Sequence, residues 1–132
     1  MTLKIIIADR QARVRFGLRI LLEQQLGWKV IGEAADTQEL MEQIHYDRPD
    51  LVLHDWELPG MPAEVLLKTL RETYQGLRVI SLSGHNELCQ VALEAGADAF
   101  ASKTEPPERL LVHIRELGFP DNDSGVTQDV YI

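Results

Sequence analysis

The sequence predicts an α/β fold in which a parallel sheet is covered by helices on both faces. Three observations predict it. Strand-like runs such as LKIIIA and RVISLS are apolar and rich in β-branched residues. Amphipathic stretches alternate with these runs, giving five β/α repeats between residues 3 and 117. Each intervening stretch is long enough for a helical crossover, which neighbouring parallel strands need and antiparallel hairpins do not. Right-handed crossovers then favour a doubly wound sandwich, with a ligand expected outside the carboxyl ends of the strands.

The elements follow in order. Residues 3–8 form the first strand and stop at the charged pair Asp9-Arg10. Residues 12–26 carry Val14, Leu18, Leu21 and Leu22 on one helical face, at i, i+4, i+7 and i+8. WKVIGEA at 28–34 is the second strand. Asp36 or Thr37 caps a helix to about residue 46; Thr37 with Leu40 three residues on is not a full capping box. Pro49-Asp50 leads into LVLH, a buried third strand ending at Asp55. The loop WELPGMP and a helix over 63–75 follow, then a fourth strand at 78–83. Leu88, Val91, Ala92 and Ala95 mark the inward face of the next helix. A short strand at about 98–102 precedes Lys103. The last helix opens near Pro106-Pro107, where proline is tolerated in a first turn, and buries Leu110, Ile114 and Leu117. From Gly118 the chain turns to Pro, Gly, Asn and Asp, with three acids and no base. The predicted division is one folded unit at 1–117 and a tail or linker at 118–132.

Composition agrees with a soluble domain. A chain of 132 residues is long enough to bury a core without a metal or disulfide to hold it. Its 45% apolar and 26% charged content is ordinary. Cys89 is the only cysteine, so no intrachain disulfide forms and a reducing compartment is expected. MTLKIIIADR is too short for a signal-peptide core, and nothing later approaches a membrane span; the expectation is cytoplasmic, with no membrane contact. A formal charge of −8 disfavours direct nucleic-acid binding. The basic cluster Arg10, Arg13, Arg15 and Arg19 reads as a solvated helix face plus one site residue.

Four strand ends carry the chemistry. The first delivers Asp9 and Arg10, the third Asp55, the fourth Ser83 and the fifth Lys103. A carboxylate pair, a hydroxyl and an ammonium at one sheet edge are what a phosphoryl site needs. The carboxylate can act as nucleophile, while ammonium and hydroxyl offset charge on the transferred oxygens.

With these residues in place, the chain resembles the response-regulator receiver family over about residues 3–117. The stretches IIIADR, PDLVLHDWELPGM, VISLSG and GADAFASK carry the likeness, and GLRILLEQQ after VRF resembles the first helix of receivers in the LuxR-like branch. The resemblance implies a flavodoxin-like sandwich with strand order 2-1-3-4-5. It implies Asp55 as the phosphoacceptor for a histidine kinase or phosphotransfer protein, with Ser83 and Lys103 as its catalytic companions. Asp9, Asp55 and the Glu57 backbone carbonyl would be the Mg²⁺ ligands. Ser83 and Phe100 would be the switch pair, although Phe100 reads equally well as a plain core aromatic. Residues 86–117 would form the output face, through which homodimers or partners assemble. Such a receiver is not an enzyme in the ordinary sense, though it catalyses its own phosphorylation and dephosphorylation. No DNA-binding helix-turn-helix follows, so the chain is either a stand-alone regulator or a receiver cut from a longer protein.

One position departs from that pattern. The family has two adjacent acids after the first strand, and Arg10 occupies the place of the second. A guanidinium is a permanent cation with no acceptor atom, so it cannot replace an oxygen ligand of a hard cation. The family site holds three carboxylates and one lysine, an excess of negative charge that Mg²⁺ offsets. Here Asp9, Asp55, Arg10 and Lys103 already sum to zero. The expected geometry is the Arg10 guanidinium over the Asp55 carboxylate, with Mg²⁺ binding weakened or lost; the alternative is Arg10 in solvent with the metal site intact. Phosphorylation then either persists with little metal dependence or is lost, leaving a phosphorylation-independent interaction module.

Other motifs carry less. Asp55-Trp56-Glu57 begins like a haloacid-dehalogenase D-x-D, but Leu58-Pro59-Gly60 supplies neither its second aspartate nor its Thr-Gly. SLSGH lacks the first glycine of a G-x-S-x-G elbow. His85 and Cys89 have no further metal ligands nearby in sequence. His45 and His113 read as surface helix residues. His54 reads as a hydrogen-bonded core histidine, and Trp56 as a loop residue partly covering the site.

Overall fold

The computed structural model describes residues 2–119. Strands β1 (Leu3–Ala8), β2 (Trp28–Ala34), β3 (Leu51–Asp55), β4 (Arg78–Ser83) and β5 (Ala99–Ser102) form one sheet in the order β2-β1-β3-β4-β5. All four pairings are parallel. Helices α1 (Ala12–Glu23), α2 (Thr37–Asp47), α3 (Ala63–Thr73), α4 (Cys89–Ala95) and α5 (Glu108–Glu116) are the crossovers, with a 3₁₀ turn over Asn86–Leu88 leading into α4. This is the flavodoxin-like three-layer sandwich that the sequence pattern predicts.

The two-residue period of the strands divides the core. Ile5, Ile7, Leu51, Leu53, Ile80 and Leu82 face one side, where Leu22 of α1 and Leu110, Leu111 and Ile114 of α5 close over them. Ile6, Ala8, Val52 and Val79 face the other, against Leu40 and Ile44 of α2 and Leu66, Leu67 and Leu70 of α3. A strand buried on both faces must be apolar at every position, and LVLH in β3 is so until its last residues turn polar at the site.

Several expected boundaries shift. α1 stops at Glu23, because Leu26 is exposed and Gly27, at φ 87°, turns the chain back so that its carbonyl accepts from Leu3 N at 2.7 Å. The N-cap of α2 is Asp36, which accepts from Glu39 N at 2.8 Å. Glu39 in turn accepts from Ala35 N at 2.7 Å, so acid three residues after the cap does satisfy a free donor, a pairing overlooked by starting the count at Thr37. α4 has a much narrower inward face than expected: Ala92 is buried, Leu88 and Ala95 are half-buried, and Val91 is exposed. The reason is that the first turn is 3₁₀ and the helix ends at Gly96, leaving too few turns to carry a full apolar stripe. Arg71 of α3 bolts this region down, donating to Gly96 O and Leu77 O at 2.8 Å each and pairing with Asp98.

The packed body extends slightly past the expected boundary at 117. Leu117 and Phe119 lie against the α1/α5-side core, and the Arg78 guanidinium lies 5.9 Å from the Phe119 ring. The remainder of the expected tail, 120–132, lies outside the described residues. Among the described residues, no helix is long and apolar enough to cross a membrane.

Candidate functional site

The carboxyl ends of β1, β3 and β5 bring three charged side chains together. Lys103, directly after β5, places its ammonium 2.8 Å from Asp9 Oδ2 and 3.1 Å from Asp55 Oδ1. The backbone fixes this meeting: Lys103 N donates to Ser83 O at 2.8 Å, and Asp9 N to Ala34 O at 3.0 Å, each extending a strand ladder by one residue. Both carboxylates are buried, and the Asp55 side chain has 0% exposure. Buried charges persist where they are paired and hydrogen-bonded. Asp9 Oδ1 accepts from Gln11 N at 2.8 Å, and Asp55 Oδ1 also accepts from Glu57 N at 3.1 Å. Asp55 Oδ2 is held far less, by one long contact of 3.5 Å from Arg10 N.

Ser83 reaches the same edge, but its hydroxyl is turned to its own loop, accepting from His85 N at 3.0 Å. Phe100 is half-buried against the α2/α3-side core. His54 is the hydrogen-bonded core histidine expected: it is buried, with Nδ1 3.0 Å from Ser81 Oγ, and burial pushes its pKa down to about 4. The neighbouring Asp55 charge pulls the other way, but burial outweighs it and Lys103 adds to the lowering. Trp56 is half-buried beside it, ring centroids 6.3 Å apart. His113, expected on the surface, is instead half-buried beside α1 and the β5–α5 loop, where it lines a cavity of about 170 Å³ with Val14, Leu18 and Leu110.

Arg10 differs from both expectations. Its guanidinium lies neither over Asp55 nor free in solvent. Nη1 reaches Glu57 O at 3.4 Å and Nη2 reaches Glu57 Oε1 at 3.2 Å, bridging the β1–α1 and β3–α3 loops. The physical reason is competition: Asp55 Oδ1 is already satisfied by Lys103 in a buried pocket, whereas Glu57 offers a carboxylate that a partly hydrated guanidinium can reach.

The remaining arginines are not a uniform solvated face. Arg15 and Arg19 grip Glu33 at 3.1 and 2.8 Å, and Arg15 also donates to Asp9 O at 2.6 Å. Burial raises the Glu33 pKa, but these two arginines outweigh it and the net shift is downward. Arg15 therefore fixes the main chain that carries Asp9. The visible signal was an arginine pair at i, i+4 opposite a lone acid near the end of the adjacent strand. Thr37 was missed in the same way: its hydroxyl accepts from Met61 N at 2.9 Å and its N–H donates to Pro59 O at 2.9 Å, tying α2 to the loop that carries Glu57.

A five-stranded parallel sandwich with an acid–acid–lysine cluster at its carboxyl edge defines a class of signalling domain, and comparison with known proteins agrees. The chain belongs to the response regulator receiver domain family, whose model matches residues 5–115. It is 34% identical over 115 residues to the transcriptional activator protein ExaE of Pseudomonas putida, covering 86% of this chain and 54% of that protein. It is 34% identical over 109 residues to the nitrate/nitrite response regulator protein NarL of Escherichia coli, covering 81% and 50%. The chain thus spans about half the length of the curated relatives it matches. A two-component response regulator of the LuxR family from Aurantimonas superposes with a TM-score of 0.81 at 29% identity, covering 89% of this chain and 85% of that one. A CheY-like receiver domain protein from Methanospirillum hungatei gives 0.77 at 29%, covering 88% and 93%.

Receiver domains generally hold Mg²⁺ at this edge. The residues here do not fit that ion as they stand. Arg10 directly follows Asp9 and offers no oxygen ligand, the Glu57 carbonyl accepts from its guanidinium, and one oxygen of each aspartate faces Lys103. Among the described residues no group of three or more His, Cys, Asp or Glu side chains is placed to hold a metal.

Proposed function

We propose that this chain relays a two-component signal by accepting a phosphoryl group on Asp55 from a histidine kinase or phosphotransfer protein. The observation that carries the reading is the meeting of Asp9, Asp55 and Lys103 at one sheet edge. Lys103 holds Oδ1 of Asp55, leaving Oδ2 as the freer nucleophile. Attack by Oδ2 on phosphorus forms a new O–P bond as the donor's P–N or P–O bond breaks. The Lys103 ammonium then offsets charge on the transferred oxygens. A phosphoryl oxygen would draw the Ser83 hydroxyl away from His85 N, and Phe100, three residues before Lys103, would follow. The output face is 86–117, where Val91, Leu93 and Val112 are exposed apolar side chains available to a partner or a second copy. We place the receiver unit at 1–117, with Phe119 packed against it, and take Mg²⁺ dependence to be weak because Arg10 stands in the metal's surroundings.

A second reading has its own support. The buried Asp55 and the guanidinium on the Glu57 carbonyl suit an interaction module that keeps the fold and the output face without phosphorylation. Acetyl phosphate decides between them. The relay reading expects an acyl phosphate, seen as a mass increase of one phosphoryl group and absent in Asp55→Asn. A folded protein that stays unlabelled with and without Mg²⁺ supports the module instead.

A further inference from the structure

Asp55 has 0% side-chain exposure, so no donor phosphorus can reach its carboxylate in this arrangement. In-line transfer needs the reacting atoms within about 3–3.5 Å. Something at the mouth must move first. The two loops that flank Asp55 are joined by one side-chain bridge, from Arg10 to the carbonyl and carboxylate of Glu57. That bridge is the outermost layer of the site: Arg10 and Glu57 are 40% and 45% exposed, whereas Lys103 beneath is 24% exposed and Asp9 3%. An ion pair so exposed is weak enough to open thermally.

The freer oxygen of Asp55 lies beside the main chain of Arg10. Oδ2 has its one long contact with the Arg10 backbone N, while Oδ1 is turned to Lys103 and Glu57 N. A phosphoryl group carried on Oδ2 therefore starts next to the Arg10 backbone, and the long arginine stem lets the guanidinium swing to it on leaving Glu57. A guanidinium presents a planar fork that matches phosphoryl oxygens and prefers them to a single carboxylate oxygen.

We infer that Glu57 is the holding half of a latch, keeping the Arg10 guanidinium bridged between the two loops that flank Asp55 until a phosphoryl group takes it. Arg10 then supplies, together with Lys103, the positive charge on the transferred oxygens, so that transfer proceeds without a divalent cation. Glu57 is a positioning residue that acts only through Arg10. The inference rests on the reading that Asp55 receives phosphate.

Two measurements test it, both in EDTA and both on the full chain. The first is binding of inorganic phosphate, followed by titration calorimetry and by the backbone amide resonances of Asp55 and Lys103, which every variant keeps. Glu57→Gln removes the competing carboxylate and should tighten binding roughly two- to fivefold, the worth of an exposed ion pair. Arg10→Met should weaken binding below wild type, and Arg10→Met/Glu57→Gln should match Arg10→Met alone. The second is the rate of labelling by acetyl phosphate, which should follow the same order. Equal phosphate affinity in wild type and Glu57→Gln, or an effect of Glu57→Gln that survives in the Arg10→Met background, overturns the latch. Absence of labelling in every variant, with the phosphate-binding order intact, keeps the release of Arg10 from Glu57 by a phosphoryl oxyanion but overturns the phosphoacceptor reading, and with it the part of Arg10 in transfer.

Discussion

His54 stands directly before Asp55 in β3, 1% exposed, with Ser81 on β4 as its hydrogen-bond partner. Its proton equilibrium bears on the stability of the fold. The folded chain keeps it neutral down to about pH 4, whereas an unfolded histidine protonates near 6.5. Between those values the unfolded chain binds the extra proton, so stability rises with pH there. The contribution is complete above pH 6.5 and is lost as the pH falls towards 4, about 3 kcal/mol in all. Urea unfolding at a series of pH values should show this slope in the wild type. His54→Leu/Ser81→Ala, which replaces both polar partners with apolar groups, should flatten it. Ser81→Ala alone leaves the imidazole without its partner and should cost about 1–3 kcal/mol at neutral pH. An unchanged slope in the double variant would show that the proton binds elsewhere. The histidine's burial was legible from its place in an apolar strand. The direction taken by Arg10 was not, because a long side chain chooses between Asp55 and Glu57 on distances that only the folded loops define.

At the scale of elements, α2 shows how a helix end serves the site. Asp36 caps it, and the next residue, Thr37, holds the β3–α3 loop through Pro59 O and Met61 N. The loop must pass close to that hydroxyl. Gly60 sits at φ 113°, and a Cβ there would come within 2.1 Å of Thr37 Oγ1. Gly60→Ala should therefore move the loop and break the Met61 N–Thr37 bond, destabilising the fold by more than about 1 kcal/mol. Asp36→Ala removes only the cap and should cost about 1 kcal/mol without shifting the loop. Thermal unfolding gives the stabilities, and the Glu57 amide resonance separates the two cases: it should shift in Gly60→Ala and stay in Asp36→Ala. Most elements could be read in advance because the strands are continuous apolar runs and the crossovers carry helical periodicity. α4 could not, since its stripe of Leu88, Val91, Ala92 and Ala95 looks like an ordinary helix until the 3₁₀ first turn rotates Val91 outward.

For the whole molecule, one substitution at the site should decide whether stability responds to Mg²⁺. In the wild type Lys103 faces both aspartates and Arg10 is paired with Glu57, so Mg²⁺ would enter beside two fixed cations, with Arg10 already on one of its expected oxygens. The wild-type thermal midpoint should be nearly independent of Mg²⁺. Arg10→Asp removes the guanidinium from the Glu57 carbonyl and supplies a third carboxylate beside Asp9 and Asp55. Without metal this variant should be less stable than wild type, because three acids then share one lysine. With metal the order should change, since an ion that binds only the folded state stabilises it by about 1.4 kcal/mol at roughly ten times its Kd. For a chain of this size that is a rise of several degrees in Tm. The measurement is Tm against Mg²⁺ for both proteins, with Ca²⁺ and raised NaCl as controls for plain charge screening, which acts on a chain of net charge −8 whether or not a site exists. A wild-type Tm that climbs with Mg²⁺ as steeply as that of Arg10→Asp would mean the guanidinium leaves Glu57 readily for the ion, and the argument from charge balance would fail with it.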